Sequence, residues 1–268
     1  MTSPASPPVD LDKAPSARQR AAALRALHVP GHPLVLPNAW DAASAAMVVD
    51  AGFPVIATSS AATASVLGYA DAEATPVEEV LAAAARIVRA VSVPVTVDFE
   101  RGYGLKPAEL VERFAETGAC GLNLEDSDPA TGVMVDIAEQ ADFLAAVRAA
   151  AKSAGVDLVI NARTDSFLRQ AGTPEEQLAA SVERSSRYLA AGADCVYPLG
   201  VAEPKVIRSL VEAIGGPVNV ARGPQAKTTL AELAGLGVAR VTFGPSLQRQ
   251  AYGWFASTIL HGLAVDLR

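Results

Sequence analysis

Short, continuously apolar and β-branched runs alternate along the chain with longer alanine-rich segments. Each run is too uniformly apolar for a strand with one solvated face, which is typical of parallel strands buried on both faces. Eight runs are predicted as strands, over 34–37, 54–58, 94–98, 121–125, 158–163, 194–198, 217–221 and 240–243. Helical spacing follows over 41–51, 76–90, 107–117, 136–154, 175–191, 203–214, 227–235 and 246–261, with a further helix over 16–28.

The strict alternation of strands and helices predicts a single (β/α)8 TIM-type barrel. The alternative is an open doubly wound sheet, but no Gly-x-Gly-x-x-Gly follows the first strand. The segments 75–78 and 173–176 both have the sequence Thr-Pro-x-Glu, a helix-start signal. No internal linker divides the chain, so we predict one barrel domain over 16–268, preceded by a disordered Pro/Ser-rich tail over 1–15.

Composition narrows the class of protein. Half of the 268 residues are hydrophobic and 19% are charged, as expected of a well-buried α/β enzyme. The net charge of -7 argues against a nucleic-acid partner, which needs a basic surface. No stretch approaches the roughly 20 apolar residues of a membrane-spanning helix. Cys120 and Cys195 lack metal-type spacing, which favours reduced thiols and a cytoplasmic location.

Acidic residues concentrate where the predicted strands end, which is the functional face of a barrel. Asp98 and Glu100 are two apart and should leave one strand on the same face, with Glu125 at the same level of the next. Three converging carboxylates need a cation, and oxygen ligands without His or Cys select Mg2+, with Mn2+ as the alternative. The competing interpretation is solvated loop acids or helix caps, which we favour for Asp126 and Asp165 taken singly.

Other polar residues at this face have two interpretations each. Arg163 could hold a carboxylate or phosphonate in a bidentate fork, or form a structural ion pair with a neighbouring acid. Asn161 and Asn219 could orient substrate oxygens or satisfy backbone groups, and Tyr197 ends the sixth strand. A histidine base is not expected, because all three histidines fall outside this face, at positions 28, 32 and 261.

Five motifs at consecutive strand ends resemble the isocitrate lyase/phosphoenolpyruvate mutase superfamily. They are Leu-Pro-Asn-Ala-Trp-Asp at 36–41, Thr-Ser-Ser at 58–60, Val-Asp-Phe-Glu-Arg-Gly-Tyr-Gly at 97–104, Asn-Leu-Glu-Asp-Ser at 123–127 and Ile-Asn-Ala-Arg-Thr-Asp at 160–165. The resemblance implies a modified TIM barrel that binds Mg2+ and forms a dimer or tetramer by exchanging its last helix, here 246–261. It also implies small α-keto or 2-hydroxy acid substrates and a metal-stabilised enolate.

The resemblance assigns roles by motif position. Asp98 becomes the direct metal ligand, while Glu100 and Glu125 act largely through metal-bound waters. The implied catalytic set is Asp71, Asp98, Glu125 and Arg163. The candidate substrate-binding set combines this resemblance with the polar strand ends and comprises Ser59, Ser60, Ala61, Asn161, Arg163, Tyr197 and Asn219.

Two features depart from the superfamily pattern. Glu100 replaces the second acid of Asp-x-Asp, a tolerable change for a water-mediated ligand. The loop over 127–134 reads Ser-Asp-Pro-Ala-Thr-Gly-Val-Met and lacks both the Lys/Arg-Cys-Gly-His of the lyases and the Lys and Asn of phosphonopyruvate enzymes. Cys120 precedes that strand and cannot replace the loop cysteine. Isocitrate lyase, methylisocitrate lyase and phosphonomutase activities are therefore disfavoured.

The remaining parts fit a Mg-dependent lyase that cleaves or decarboxylates a small α-keto or 2-hydroxy dicarboxylate. The enolate could take its proton from water, Tyr69, Tyr103 or Tyr197, whereas a hydroxyl substrate would need Asp71 or Glu125 as base. The alternatives are a hydrolase or mutase of oxaloacetate-like or phosphonopyruvate-like substrates, or a non-catalytic dicarboxylate-binding relative. Trp254 and Phe255 fit a helix that packs on a partner, or equally on its own barrel.

Overall fold

The structure is a computed structural model that describes residues 15–170 and 172–266, with the side chains described through residue 265. The predicted tail over 1–15 lies outside this part of the chain except for Pro15. None of the helices in these ranges combines the length and apolarity needed to cross a membrane.

Every predicted apolar run contains a strand, and all paired strands are parallel. The strands are β1 (Leu34–Leu36), β2 (Asn38–Ala39), β3 (Ile56–Thr58), β4 (Val95–Asp98), β5 (Gly121–Glu125), β6 (Val159–Thr164), β7 (Cys195–Pro198), β8 (Asn219–Ala221) and β9 (Arg240–Thr242). The first predicted run ends at Pro37, which has no N–H to donate to a neighbouring strand, and the short strand β2 follows beyond the predicted end.

The strands close into a barrel through three links. β1 pairs with β9, whereas β2 pairs with β3 and continues through β7. A parallel bridge between Val196 and Val218 joins β7 to β8. Asn38 spans the break at Pro37, since its amide donates to Thr58 O (2.6 Å) and accepts from Phe243 N (2.7 Å). The predicted barrel is confirmed.

The helices surround the strands as predicted, with one addition. They are α1 (Ala17–Ala26), α2 (Ala42–Asp50), α3 (Ser60–Leu67), α4 (Val77–Ala90), α5 (Pro107–Glu116), α6 (Ile137–Ser153), α7 (Pro174–Ala190), α8 (Pro204–Ile214), α9 (Leu230–Gly235), α10 (Ser246–Trp254) and α11 (His261–Asp266), with a π-helical segment at Phe255–Leu260. The added helix is α3, which begins at the N-cap Ser59 and ends at Gly68 with φ 88°, and the last helical stretch continues through α11 beyond its predicted end at 261. Thr173 caps α7 as expected, but α4 begins after Pro76 rather than at a Thr75 cap.

Helix α1 covers the N-terminal end of the barrel. Its residues Ala21 and Leu24 are buried in a cluster formed by Leu34, Leu36, Val55, Ala57, Cys120 and Val159. Gly121 permits this close approach, because a Cβ there would lie 2.7 Å from Leu24 Cδ2. Both cysteines are free and buried. The opposite, C-terminal end of the strands is left for the polar residues.

Candidate functional site

Asp98 is held by donors from two neighbouring segments at the end of β4. Its Oδ2 accepts from the backbone N (3.0 Å) and Oγ (2.9 Å) of Ser60, and its Oδ1 accepts from Asn123 Nδ2 (3.2 Å). The Ser60 amide, predicted to receive a substrate carboxylate, thus faces a protein carboxylate in this arrangement. Within residues 15–170 and 172–266, Asp98 forms no ion pair with Lys, Arg or His.

Glu100 lies near Asp98 as predicted, but it lies in a turn and not on the strand. β4 ends at Asp98, and Glu100 lies in a turn with φ 46°, so strand alternation does not place its side chain. Its carboxylate accepts from Tyr103 Oη (2.6 Å) and Glu73 N (2.7 Å). Burial raises its pKa to about 7, and the negative charges of Asp98 and Asp71 act in the same direction.

Glu125 is not level with Asp98, contrary to the prediction. The register partner of Asp98 is Asn123, two residues earlier on β5, and Glu125 N instead donates to Glu100 O (2.8 Å). Oε2 of Glu125 lies 2.5 Å from Nη1 of Arg163, its register partner on β6. Burial raises the pKa of Glu125 well above its usual range, although the Arg163 charge opposes this shift.

Arg163 is held by a second acid as well. Its Nε and Nη2 donate to Asp165 over 2.6 and 3.0 Å, and Ser127 Oγ donates to the same carboxylate over 2.7 Å. The structural ion pair is therefore present. A guanidinium has five N–H groups. The contact with Glu125 and the two bonds to Asp165 use three of them, which leaves one N–H on each terminal nitrogen for another acceptor.

Neither Asp165 nor Asp126 is a solvated loop acid, as their interpretation in isolation had favoured. Both are fully buried. Asp126 accepts from Tyr188 Oη (2.8 Å), Arg184 Nη1 (3.0 Å) and Asp165 N (3.0 Å). Because all its partners are protein groups behind the strand ends, Asp126 anchors helix α7 to β5.

The remaining predicted residues divide between the barrel interior and its rim. Asn161 donates to Asn123 Oδ1 (2.8 Å) and Asn219 donates to Thr242 Oγ1 (3.0 Å). The Oδ1 atoms of both predicted asparagines find no partner in the described ranges. Tyr197 is buried opposite Arg163 in the ladder, while Ser59, Ala61 and Asp71 lie at the start of α3 and in the exposed loop that follows it.

Glu73 is a site residue that the sequence did not reveal. Its carboxylate accepts from Arg101 N (3.0 Å) and Tyr103 N (2.7 Å), so it ties the loop that carries Asp71 to the turn after β4. Left-handed backbone conformations collect here, at Glu73, Glu100 and Tyr103. Such strain in non-glycine residues persists only where surrounding contacts fix it, and it is common at functional sites.

Residues 24–261 match the family model described as phosphoenolpyruvate phosphomutase. The chain belongs to the phosphoenolpyruvate mutase family. The match contains all the predicted site residues, from Ser59 to Asn219.

Curated relatives of this family member have several descriptions. An uncharacterized protein of Mycobacterium tuberculosis is 34% identical over 219 residues, which cover 81% of this chain and 80% of that protein. A 2-methylisocitrate lyase of Bacillus subtilis is 29% identical and is covered over 61% of its length, against 69% of this chain. An oxaloacetate decarboxylase of Rhodopseudomonas palustris is 29% identical, with 77% of this chain and 72% of that protein covered.

Solved structures agree with the barrel. A Burkholderia cenocepacia J2315 protein, provisionally described as a phosphonomutase, superposes with a TM-score of 0.84 and 45% identity over 90% of this chain and 98% of that one. A 2,3-dimethylmalate lyase of the PEP mutase/isocitrate lyase superfamily superposes with a TM-score of 0.81 and 27% identity over 93% of this chain and 86% of the other.

The acidic end of this family member's barrel fits a hard divalent cation in charge and donor type. Burial is the main cause of the raised pKa of Glu100, the negative charges of Asp98 and Asp71 add to it, and the donor atoms of all three acids are oxygen. As they stand, no three His, Cys, Asp or Glu side chains in the part of the chain described are grouped to hold a metal. The fit therefore rests on uncompensated charge around Asp98, not on an assembled ligand set.

Proposed function

We propose that this chain is a divalent-metal-dependent lyase that acts on a small α-keto or 2-hydroxy dicarboxylate, by C–C cleavage or decarboxylation. The observation that carries the proposal is the presence, among the described residues, of unpaired carboxylates and an arginine at the same strand ends. Asp98 and Glu100 are two carboxylates without an ion-pair partner in the described ranges, and the Arg163 guanidinium lies near enough to Asp98 for the two charges to interact. A metal-bound keto acid would satisfy both parts.

Asp98 is the residue proposed to hold the ion directly, with Glu100 and Glu125 as supporting carboxylates. Mg2+ is favoured over Mn2+ because the donors are all oxygen. When bound, such an ion polarises an α-keto oxygen and stabilises the charge of an enolate. Occupation of the site would also offset the negative charges of Asp98 and Asp71, which add to the burial that raises the pKa of Glu100.

The substrate's anionic groups have two places to bind. Each terminal nitrogen of Arg163 keeps an N–H beyond its bonds to Glu125 and Asp165, so one carboxylate can add to this preorganised fork. The N-terminus of α3 offers the Ala61 amide and a favourable helix dipole to the other, and the Ser60 amide would join them only if Asp98 moved away from it. The buried Oδ1 atoms of Asn161 and Asn219, which have no partner among the residues that the structure describes, are the acceptors proposed for substrate hydroxyls or water.

Proton transfer is assigned to tyrosines. Burial raises the pKa of Tyr197 to about 12, and burial together with the charge of Glu100 raises that of Tyr103 above its usual value. Both phenols therefore stay protonated at neutral pH and can protonate an enolate. Tyr69 lies further out, bonded to Glu79 through its hydroxyl, and is the weaker candidate. This arrangement favours decarboxylation, which needs no base to start.

A non-catalytic role as a dicarboxylate-binding relative is favoured by one observation. The loop that lacks the superfamily's catalytic residues is a closed hairpin, bridged between Ser127 and Met134 and capped by Asp128, which accepts from Thr131 N (2.7 Å). It presents no thiol, imidazole or amine to the site. The hydrolase and mutase alternatives depend on the same metal and Arg163 and are separated from a lyase by their products.

The C-terminal segment supports the proposed homo-oligomer. Its large apolar side chains are exposed in the single chain, at Tyr252, Trp254, Phe255, Ile259, Leu260, Leu263 and Val265. Exposed apolar side chains concentrated in one segment are typical of a protein interface. Exchange of this segment between subunits would bury it.

The proposal is tested by measuring pyruvate or glyoxylate release from oxaloacetate, 2,3-dimethylmalate, 2-methylisocitrate, isocitrate and phosphonopyruvate, with Mg2+ and then with EDTA. Metal-dependent release of pyruvate or glyoxylate from one of the four substrates without phosphorus is the expected result. Phosphate release from phosphonopyruvate, or acetate from oxaloacetate, would select the hydrolase alternative. Silence across the panel, with the protein folded and Mg2+ bound, would contradict the lyase and favour the binding relative.

A further inference from the structure

Arg240 is a charged side chain in the middle of the barrel. It begins β9, is 1% exposed and is the largest fully buried side chain of the described chain. Within residues 15–170 and 172–266 it forms no ion pair with a carboxylate, and its Nε has no hydrogen-bond partner. Burial of a cation without a counter-charge is costly, and an apolar residue would fill the space at lower cost.

The guanidinium touches neutral acceptors on two sides. Nη1 lies 3.5 Å from His28 Nε2, towards the N-terminal end of the barrel, and Nη2 lies 3.4 Å from Asn123 Oδ1, towards the site. His28 Nδ1 is 2.8 Å from Leu24 O, so this nitrogen carries the ring proton and Nε2 accepts. Burial, helped by the Arg240 charge, lowers the pKa of His28 to about 4, which keeps it neutral.

Asn123 is oriented by the donors on its oxygen. Its Oδ1 accepts from Asn161 Nδ2 (2.8 Å) and faces Arg240 Nη2, so the amide cannot turn without placing NH2 against two donors. Its Nδ2 is thereby directed at Asp98 Oδ1. A chain of contacts runs from the buried cation through one amide to the carboxylate at the centre of the site.

We propose that Arg240 is a positioning residue, which orients the Asn123 amide so that Asp98 is fixed for the divalent ion. The inference rests on the proposed function, and it adds a residue from the barrel interior that touches neither metal nor substrate. A residue with a merely structural role would leave the geometry and ion affinity of Asp98 unchanged when replaced by an apolar side chain of similar length.

The first test is the Mn2+ dissociation constant of the full chain, measured by electron paramagnetic resonance without substrate. Arg240→Met should raise it about tenfold, as the loss of a group behind a metal ligand does elsewhere, and Arg240→Lys should restore part of the affinity. The matched control is Arg148→Met, which removes a half-buried arginine bound to Asp194 and Gly192 O at the other end of the barrel. The control should bind Mn2+ as the natural chain does.

Coupling separates positioning from general damage. If Arg240 acts through Asn123, then Asn123→Ala should lower the affinity alone, and adding Arg240→Met should change it less than twofold further. Additive losses, or a folded Arg240→Met chain that binds Mn2+ within twofold of the natural one, would overturn the inference.

A crystal structure of the Arg240→Met chain, or of Arg240→Leu if the first does not fold, tests the geometry without metal. The expected result is a turned Asn123 amide or a broken Asn123–Asp98 bond. Both side chains in their original positions would overturn the proposal. Failure of the natural chain to bind Mn2+ would reject the proposed function instead, and the crystal structure would still decide the role of Arg240.

Discussion

Nη1 of Arg163 and Oε2 of Glu125 lie 2.5 Å apart as register partners on neighbouring strands. Because Asp165 holds the other side of the same guanidinium, the cation proposed to bind substrate is fixed by two acids before any substrate arrives. The same ion pairs that stabilise the fold therefore also orient Arg163 for substrate. A substitution that breaks them should lower both substrate affinity and the free energy of unfolding.

Replacement of Arg163 tests this arrangement. Arg163→Met would leave the buried Glu125 without its cation and leave Asp165 with only Arg169, 3.6 Å away, at a cost of about 3–5 kcal/mol in the free energy of unfolding. Arg163→Lys keeps the charge but not the fork, so it should lose less stability and still raise KM. Urea unfolding and KM for the substrate found by the panel check both. An unchanged KM in the lysine variant would remove Arg163 from the substrate site.

Asp98→Asn should abolish metal-dependent turnover and leave the fold intact. The amide still accepts from Ser60 and removes no core volume, but it no longer supplies an anionic ligand. Asp50→Asn, the same change on the exposed end of α2, should turn over normally. Circular dichroism and product release give the comparison. Metal-dependent turnover retained by Asp98→Asn would undo the site assignment.

Glu100 gives the metal-free protein a pH-dependent stability. Its pKa is about 7 in the folded chain and 4.5 ordinarily, so between these values the folded state binds the extra proton. The free energy of unfolding should therefore fall as pH rises from 4.5 through 7, by up to about 1.4 kcal/mol per pH unit. Glu100→Gln should flatten this part of the profile.

The control for this profile is Glu112→Gln, the same change at an exposed position of α5. It should leave the slope unchanged. Saturating Mg2+ should raise stability most at the alkaline end, where Glu100 is ionised. If Glu100→Gln does not alter the slope of the unfolding free energy against pH, Glu100 is not the source of the pH dependence.

The exposed apolar side chains of the C-terminal segment predict an assembly in solution. Phe255→Ser with Leu263→Ser removes two of them without touching the barrel, and should lower the mass measured by light scattering to that of one chain. The matched control is Val133→Ser, an exposed apolar residue on the loop after β5. A natural chain that is already monomeric at micromolar concentration would contradict the exchange.

Barrel order and strand positions followed from the sequence because buried parallel strands are continuously apolar and their breaks carry Gly and Pro. Helix α3 was missed, since Ser-Ala-Ala-Thr-Ala-Ser-Val-Leu has no apolar stripe and its helix depends on the Ser59 cap and packing on α4. The chain changes its neighbouring strand after Pro37, because β1 pairs with β9 and β2 pairs with β3. Apolar content does not encode such a change.

The sequence predicted that the candidate site residues lie near one another, but it did not predict their geometry. Asp98, Glu100, Glu125 and Arg163 are near one another, but the strand ends at Asp98 and a left-handed turn carries Glu100, so alternation and level were wrong. Arg240 gave no usable signal. A single arginine inside an apolar run is equally typical of a strand that reaches solvent, and only the closed barrel places it in the interior.

Oxalate binding, followed by titration calorimetry with and without Mg2+, tests the central claim most directly. Oxalate imitates the planar dianion of an α-keto acid enolate, and a site complementary to that species should bind it tightly. We expect oxalate binding to require Mg2+, to be lost in Asp98→Asn and to be weakened in Arg163→Lys. Equal binding without the metal, or none to the Mg2+-loaded chain, would contradict an enolate-stabilising metal site at Asp98.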